Sequence, residues 1–438
     1  MPEDSRHAAS LIGRVLRDHT VDEVAQRLQP RTDDPAARVR NSTHVTPDRV
    51  QERWSLLAAS AEAQAAVLDT ISLDGAETYA RNIENYIGTV KLPIGLAGPL
   101  RINGLFANGD FYVPLATTEA ALVASYSRGA QLISEAGGCT VMLLDEGVSR
   151  APAFAFKDLR ECGQFVMWAL EQSERFRELA ESTTSHGKFQ DLKFTIEGNH
   201  VYLTFEYLTG DASGQNMVTI ATQLVLSYIL ENSPVTPRYS FLEANMSGDK
   251  KASAQSFTTV RGKRVTAEVR VPAELVERRL HTTPAMMARY GIMAGLGGVM
   301  SGTMGVQGHY ANGLAALYIA CGQDAACVAE SAVGITRWEV TEEGELYASV
   351  TMPNIMVGTV GGGTGLPSQR ACLEILGLRG PGNAQALAEV AAGVCLAGEL
   401  SIAAALCSGD FAHAHQRLAR GKAEAKAARA AAPDAARS

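Results

Sequence analysis

Residues 152–240 place the tightest limit on what this chain can fold into. APAFAF reads as a strand, DLRECGQFVMWALEQSERFRELAE as one long helix, and KFQDLKFTIEG with HVYLTFEYLTG as an alternating hairpin turning at Gly198 and Asn199. MVTIATQLVLSYILEN has the spacing of a second helix, and TPRYSFLEA reads as a last strand. The order β-α-β-β-α-β is that of a ferredoxin-like unit. The expected fold class is therefore α+β. A large, mostly helical domain, residues 81–151 and 241–420, is interrupted by a small domain at residues 152–240.

Residues 1–80 read as a helical arm, with apolar residues at helical spacing in AASLIGRVLRDH, VDEVAQRLQ and VQERWSLLAASAEAQAAVL. Its expected role is packing or oligomer contact. The tail at residues 421–438 is low in complexity and expected to be disordered when free.

Composition narrows the function classes. A formal charge of -8 gives no electrostatic reason to expect nucleic acid. No charge-free apolar run approaches the ~18 residues of a membrane span, because Glu399 interrupts the most apolar segment, residues 394–407. The amino terminus, MPEDSRHAAS, lacks the apolar core of a signal peptide. The seven cysteines stand singly, with no CxxC pair to suggest a zinc site or a disulfide framework. A reduced, cytoplasmic protein without membrane or metal is expected.

Two short stretches carry ligand-binding signals. GDASGQNM, residues 210–217, is a glycine-containing turn opening a helix, where convergent N–H groups and the helix dipole favour an anion. Asp211 is equally suited there to act as a simple N-cap. In PLATTEAALVASYSRGAQLISEAGG, residues 114–138, apolar spacing predicts a helix capped at Thr117 or Thr118, with Glu119 in its first turn.

ENYIGTVKLPIGLAGPL, VPLATTEAALVAS and the Arg128-Gly129 pair together resemble the soluble catalytic portion of the hydroxymethylglutaryl-CoA (HMG-CoA) reductase family, most like its class I type. The resemblance implies four catalytic groups: Glu119, Lys250 in the DKK segment, Asp324 in GQD, and His415 in the carboxy-terminal DFAHAHQ. It implies that the turn Asp211, Ala212, Ser213, Gly214, Gln215, Asn216 and Met217 holds NADPH or NADH. Ser185 and His186 would lie toward the 2′-phosphate, and Val360, Gly361 and Gly362 against the nicotinamide. The acyl-CoA substrate would meet Arg128, Arg150, Glu243, Asn245, Asp249, Lys251 and Arg289. His309 and Asn312, the polar punctuation of an apolar helix, join that set. An obligate homodimer, or a tetramer, with the site shared between subunits is also implied by the resemblance.

The implied reaction is a four-electron reduction of a thioester to a primary alcohol by two hydrides. Each hydride puts negative charge on oxygen, so a cation must wait there, and Lys250 paired with Asp324 fills that role. Glu119 as proton donor needs its pKa raised from about 4.3 toward neutrality, by burial and by Asp324 nearby. His415 suits protonation of the leaving CoA thiolate.

Three positions depart from the family pattern, and the first is Ser185, which stands where an arginine often meets the 2′-phosphate of NADPH, with His186 and Lys188 as compensating groups. Glu243 stands where a serine is usual, and Met293 near where a lysine holds the substrate carboxylate. A bare Glu243 about 4 Å from that carboxylate would repel it by about 4 kcal/mol at an effective dielectric of about 20. Arg150 and Lys251 remain as cations, and Arg289, one helical turn from Met293, is placed either to replace the lost cation or to neutralise Glu243. HMG-CoA is the first-choice substrate, a neutral or amine-bearing acyl thioester the alternative, and an inactive CoA-ester-binding paralogue the third reading.

Overall fold

The computed structural model describes residues 5–31, 36–39 and 44–409. The chain forms two compact units, one within Met1–Val90 and one within Lys91–Ser438. The first contains α1 (Ser5–Asp18), α2 (Val21–Leu28), α3 (Pro47–Trp54), α4 (Ala61–Val67) and α5 (Thr70–Asp74). Thr20 and Glu23 close a reciprocal capping box that starts α2. A small core gathers Val45, Val50, Trp54, Leu68, Ala76 and Tyr86. The indole N–H of Trp54 donates to the Ile87 carbonyl at 2.8 Å, so its polar edge is satisfied inside that core.

The second unit begins with the antiparallel pair β1 (Ile94–Gly104) and β2 (Asn108–Ala116), then α6 (Leu122–Glu135) and β3 (Cys139–Arg150). There follow β4 (Ala153–Ala155), α7 (Leu159–Glu171), α8 (Ser173–Ser182), β5 (Lys188–Glu197), β6 (His200–Leu208), α9 (Gln215–Asn232) and β7 (Tyr239–Phe241). The four strands of this stretch pair antiparallel in the order β7-β4-β6-β5, the ferredoxin-like arrangement. The single helix expected after β4 is broken at Gln172, whose N–H turns back to the carbonyls of Trp168 and Ala169. The last strand is shorter than TPRYSFLEA suggested.

The chain then runs through β8 (Gly262–Val271), α10 (Ala273–Leu280), α11 (Pro284–Ser301), β9 (Gly305–Val306) and α12 (Tyr310–Ala320). It closes with α13 (Val328–Ser331), β10 (Gly334–Val340), β11 (Leu346–Ile355), α14 (Pro367–Ile375) and α15 (Ala384–Ser408). β3 joins the two parts of one 11-stranded sheet: residues 140–147 pair with β8, and residues 148–150 with β6.

The glycine-rich MAGLGG lies inside α11, which Thr283 caps by accepting the Met286 N–H at 3.3 Å. The apolar stretch before the tail is the single 25-residue α15. By length and mean hydropathy, 1.9, α15 is apolar enough to cross a membrane, yet 83% of that window is buried in the fold. It is the central core helix. A side chain at Gly129 of α6 would drive into the Ala397 carbonyl, so glycine permits the close approach of α6 to α15.

Two carboxylates are carried into this core by α15. Glu389, fully buried, accepts N–H groups of Leu105, Phe106, Ala107 and Leu143 at 2.7–3.3 Å. Glu399 accepts the N–H groups of Gly308 and His309 at 2.7 and 2.8 Å and the Thr336 hydroxyl at 2.8 Å. Each charge is thus matched by donors, as burial requires.

Candidate active site

Helix α12 separates two groups of polar residues. Its 11 residues rise about 16 Å. At its amino end, Asn312 Nδ2 donates to Glu119 Oε1 at 3.4 Å. His309 is the N-cap, its ring 5.4 Å from that of Tyr126 and its Nδ1 3.4 Å from Glu399. Beyond its carboxy end, Asp324 Oδ2 lies 2.7 Å from Lys250 Nζ.

Glu119 does not sit in a helical first turn. α6 begins at Leu122 after Ala121, which adopts the left-handed conformation at φ 71°, and Thr117 caps the Glu119 N–H at 3.0 Å instead of starting the helix. Glu119 is exposed, and its contact is Asn312 rather than Asp324. The expectation of a carboxyl buried beside Asp324 is not met within one chain.

Lys250 occupies a strained turn. Its φ is 56° and that of Asn245 is 66°, the left-handed region that a side chain disfavours. The turn is held by bonds to both sides. Lys250 N–H donates to Glu330 Oε1 at 3.3 Å, and Lys251 Nζ to the Asp249 carbonyl at 2.9 Å. The hydrogen bond that Lys250 donates to Asp324 raises the Lys250 pKa above its ordinary value, against the opposing effect of partial burial.

Behind the turn lies a buried ionic network. Arg150 Nη1 reaches Glu243 Oε2 at 3.3 Å and Asp249 Oδ2 at 3.2 Å. Arg261, 3% exposed, binds Glu330 at 2.6 Å, Asp249 at 2.5 Å, the Ser149 carbonyl at 2.7 Å and Gln215 Oε1 at 2.9 Å. Burial alone would raise the Asp249 carboxyl, but Arg261 and Arg150 outweigh it and hold the pKa low. Glu330, fully enclosed, is pushed up by desolvation, which Arg261 only partly offsets. Glu243 is matched by Arg150, not by Arg289, which is exposed on α11. Arg150 Nε and Glu243 Oε1 are buried with no hydrogen-bond partner among the described residues.

Next to Asp324 opens a cavity of about 600 Å³. It is lined by residues 212–217 from the start of α9, by residues 360–364, and by Gly322 and Gln323. α9 starts after Gly214, φ 79°, with no side-chain cap, leaving its first N–H groups directed at this space. A Cβ at Gly358 would lie 2.5 Å from the Ser213 backbone nitrogen, so glycine there lets the two loops meet. Size, uncapped helix end and neighbouring Asp324 fit a dinucleotide.

Asp211 does not cap α9 and does not line the cavity. Its carboxylate accepts the N–H groups of Gly382 and Ala384 at 2.8 and 3.1 Å, starting α15, and its carbonyl accepts the Thr359 N–H at 2.8 Å. It is a clamp between loops. Ser185 and His186 are exposed and outside the cavity lining. Arg128 donates to the Ser401 carbonyl at 2.6 Å. His415 lies outside the described residues.

Sequence reasoning missed Arg261, Glu330 and Gln323, whose Oε1 accepts the Gly358 N–H at 2.8 Å. The only local signal was a basic pair, Arg261 and Lys263, opening an alternating strand.

An α+β fold with a ferredoxin-like stretch beside a lysine, an aspartate and a helix-end cavity describes an enzyme of dinucleotide-dependent reduction. The family model for hydroxymethylglutaryl-coenzyme A reductase matches residues 49–420, and the chain belongs to that family. Over 356 residues it is 47% identical to the 3-hydroxy-3-methylglutaryl-coenzyme A reductase of Pyrococcus horikoshii, covering 80% of this chain and 86% of that one. It is 44% identical to that of Methanothermobacter thermautotrophicus, over 80% of this chain and 88% of the relative. Among solved structures, the class II enzyme of Streptococcus pneumoniae bound to NADPH superposes with a TM-score of 0.61. That likeness, at 23% identity, covers 81% of this chain and 96% of the other and is one of fold.

Proposed function

We propose that the protein reduces HMG-CoA to mevalonate and free CoA, consuming two NAD(P)H and two protons. The observation that carries this reading is the Lys250–Asp324 pair at 2.7 Å on the rim of the helix-end cavity. The dinucleotide, when bound, supplies hydride to the acyl carbon. Lys250 meets the negative charge that each addition places on oxygen, and Asp324 fixes the direction of its N–H bonds. The N–H groups at the start of α9, residues 215–217, hold the pyrophosphate, which makes residues 152–240 the dinucleotide-binding insertion. Arg150, whose Nε is unpaired, meets the polar end of the acyl group together with Asp249 and Lys251.

Glu119 and His415 serve as proton donors to the oxygen and to the departing thiolate. Glu119 and Asn312 lie at the end of α12 remote from Lys250, so a second copy of the chain completes the site in a homodimer. α11 supports this arrangement. It exposes Ile292, Met293, Leu296, Val299 and Met300, an apolar face of the kind that marks an interface. We place the protein in the cytoplasm and in the class I branch. Against the class II branch, identity to the Streptococcus pneumoniae structures is only 22–23%.

The alternative of a neutral or amine-bearing acyl group keeps one supporting observation: Oε1 of Glu243 is an unpaired acceptor for a donor on the acyl chain. Its main argument, repulsion by Glu243, is weakened by the Arg150 pair. A panel of acyl-CoA thioesters, assayed by loss of reduced-dinucleotide absorbance with NADPH and with NADH, tests both. Turnover of HMG-CoA above all other thioesters is expected. Inactivity with HMG-CoA under both cofactors would discard the first reading, and inactivity with every thioester despite CoA binding would favour an idle paralogue.

A further inference from the structure

Arg261 stands immediately before β8, at the place where the sheet passes from the large part of the fold to the ferredoxin-like stretch. Its guanidinium binds four acceptors from four separate segments: the end of β3, the DKK turn, the first residue of α9 and α13. Two of those segments carry the proposed chemistry. Through Asp249 directly, and through Glu330 to the Lys250 N–H, Arg261 fixes the lysine-bearing turn. Through Gln215 it fixes the helix end that faces the cavity.

We propose that Arg261, acting with Glu330, is a positioning residue that sets the separation between the Lys250 ammonium and the dinucleotide site. The inference rests on the roles given above to Lys250 and to the start of α9. A planar guanidinium with five fixed donors can join four acceptors at once, which an ammonium cannot. The strained φ of Lys250 gives the network something to do, since a turn in that region persists only when its surroundings over-determine it.

Glu330 supplies a readout that simple loss of packing would not move. It is faced by Arg261, Asp249, the Lys250 backbone, Cys327 and Tyr318, and Arg261 is the main group favouring its ionised form. Without that cation, desolvation and Asp249 drive Glu330 to bind a proton at higher pH.

The test compares Arg261→Met, Arg261→Lys and Glu330→Gln with the unaltered protein. Folding is followed by circular dichroism and thermal unfolding, NADPH affinity by fluorescence without substrate, and kcat and KM with HMG-CoA across pH. Folded Arg261→Met is expected to lose about 100-fold in kcat, the scale of a small misplacement of reacting groups, with HMG-CoA KM raised by a smaller factor through Asp249. It should also bind NADPH more weakly, and the acid limb of its kcat profile should move to higher pH. Wild-type kcat with an unmoved acid limb would overturn the proposal. If Arg261→Met does not fold, the milder variants decide: wild-type kcat in both overturns it, and reduced kcat at unchanged thermal stability upholds it. Inactivity of the unaltered protein would instead remove the assignment of the reaction, while NADPH affinity would still report whether Arg261 holds the helix end.

Discussion

Lys250 and Asp324 are 2.7 Å apart although 74 residues separate them in the chain (324 − 250), and both side chains remain 41% exposed. A pair that was only structural would gain little at such exposure, because solvent screens it. Its position beside the cavity, which Asp324 lines, fits the proposed role, since an ammonium held ready needs no reorganisation when charge develops.

Lys250→Ala should therefore lower kcat by at least about 100-fold while leaving the unfolding temperature nearly unchanged. The Asp324 hydrogen bond raises the Lys250 pKa, so the ammonium stays charged through neutrality. Its stabilising effect is fully present below the unfolded pKa and is lost only as pH rises through the folded value. The difference in unfolding temperature between the unaltered protein and Asp324→Asn should accordingly be flat from neutral pH to about 10. A difference that vanished between pH 7 and 9 would assign the pair wrongly.

Glu119 and Lys250 should act from different subunits. Glu119→Gln and Lys250→Ala, each inactive alone, should regain activity when mixed after dissociation and reassembly. Half of the randomly paired dimers are mixed and each has one of two sites intact, so about a quarter of full activity is expected. No recovery, with exchange confirmed by differently tagged subunits, would place the whole site within one chain.

At Gly358, alanine should separate the loops that frame the cavity. The new methyl would meet backbone atoms of Ala212 and Ser213, which cannot swing aside as a side chain can. A loss of about 1–3 kcal/mol in stability is expected, together with a raised KM for the dinucleotide. Thermal unfolding and steady-state kinetics measure both, and an unchanged KM would remove Gly358 from the cavity frame.

Glu389 lies away from the proposed chemistry and tests the fold itself. Glu389→Ala strips the acceptor from four backbone N–H groups, three of them in the turn between β1 and β2. The expected loss is about 3 kcal/mol or more, read as a lowered denaturant midpoint, with kcat of the folded fraction retained.

Part of the cavity's frame was legible in residue types. The GDASGQNM turn showed its helix end because a glycine turn opening an apolar helix is a local property. The alternation of β5 and β6 and the glycine turn between them gave the hairpin for the same reason. Asp211 misled because an aspartate ahead of a helix usually caps that helix, whereas here it caps α15, 173 residues further on.

The sequence by itself determined the strand-and-helix order of residues 152–240, and its family resemblance singled out Glu119, Lys250, Asp324 and His415. Periodicity and turn chemistry act over a few residues, so they can be read along the chain. Only the tertiary structure decided that Glu243 is matched by Arg150, that Glu119 meets Asn312 rather than Asp324, and that Arg261 joins four segments. Which charges become partners depends on how distant elements pack in a low-dielectric interior, and no spacing in the sequence records that.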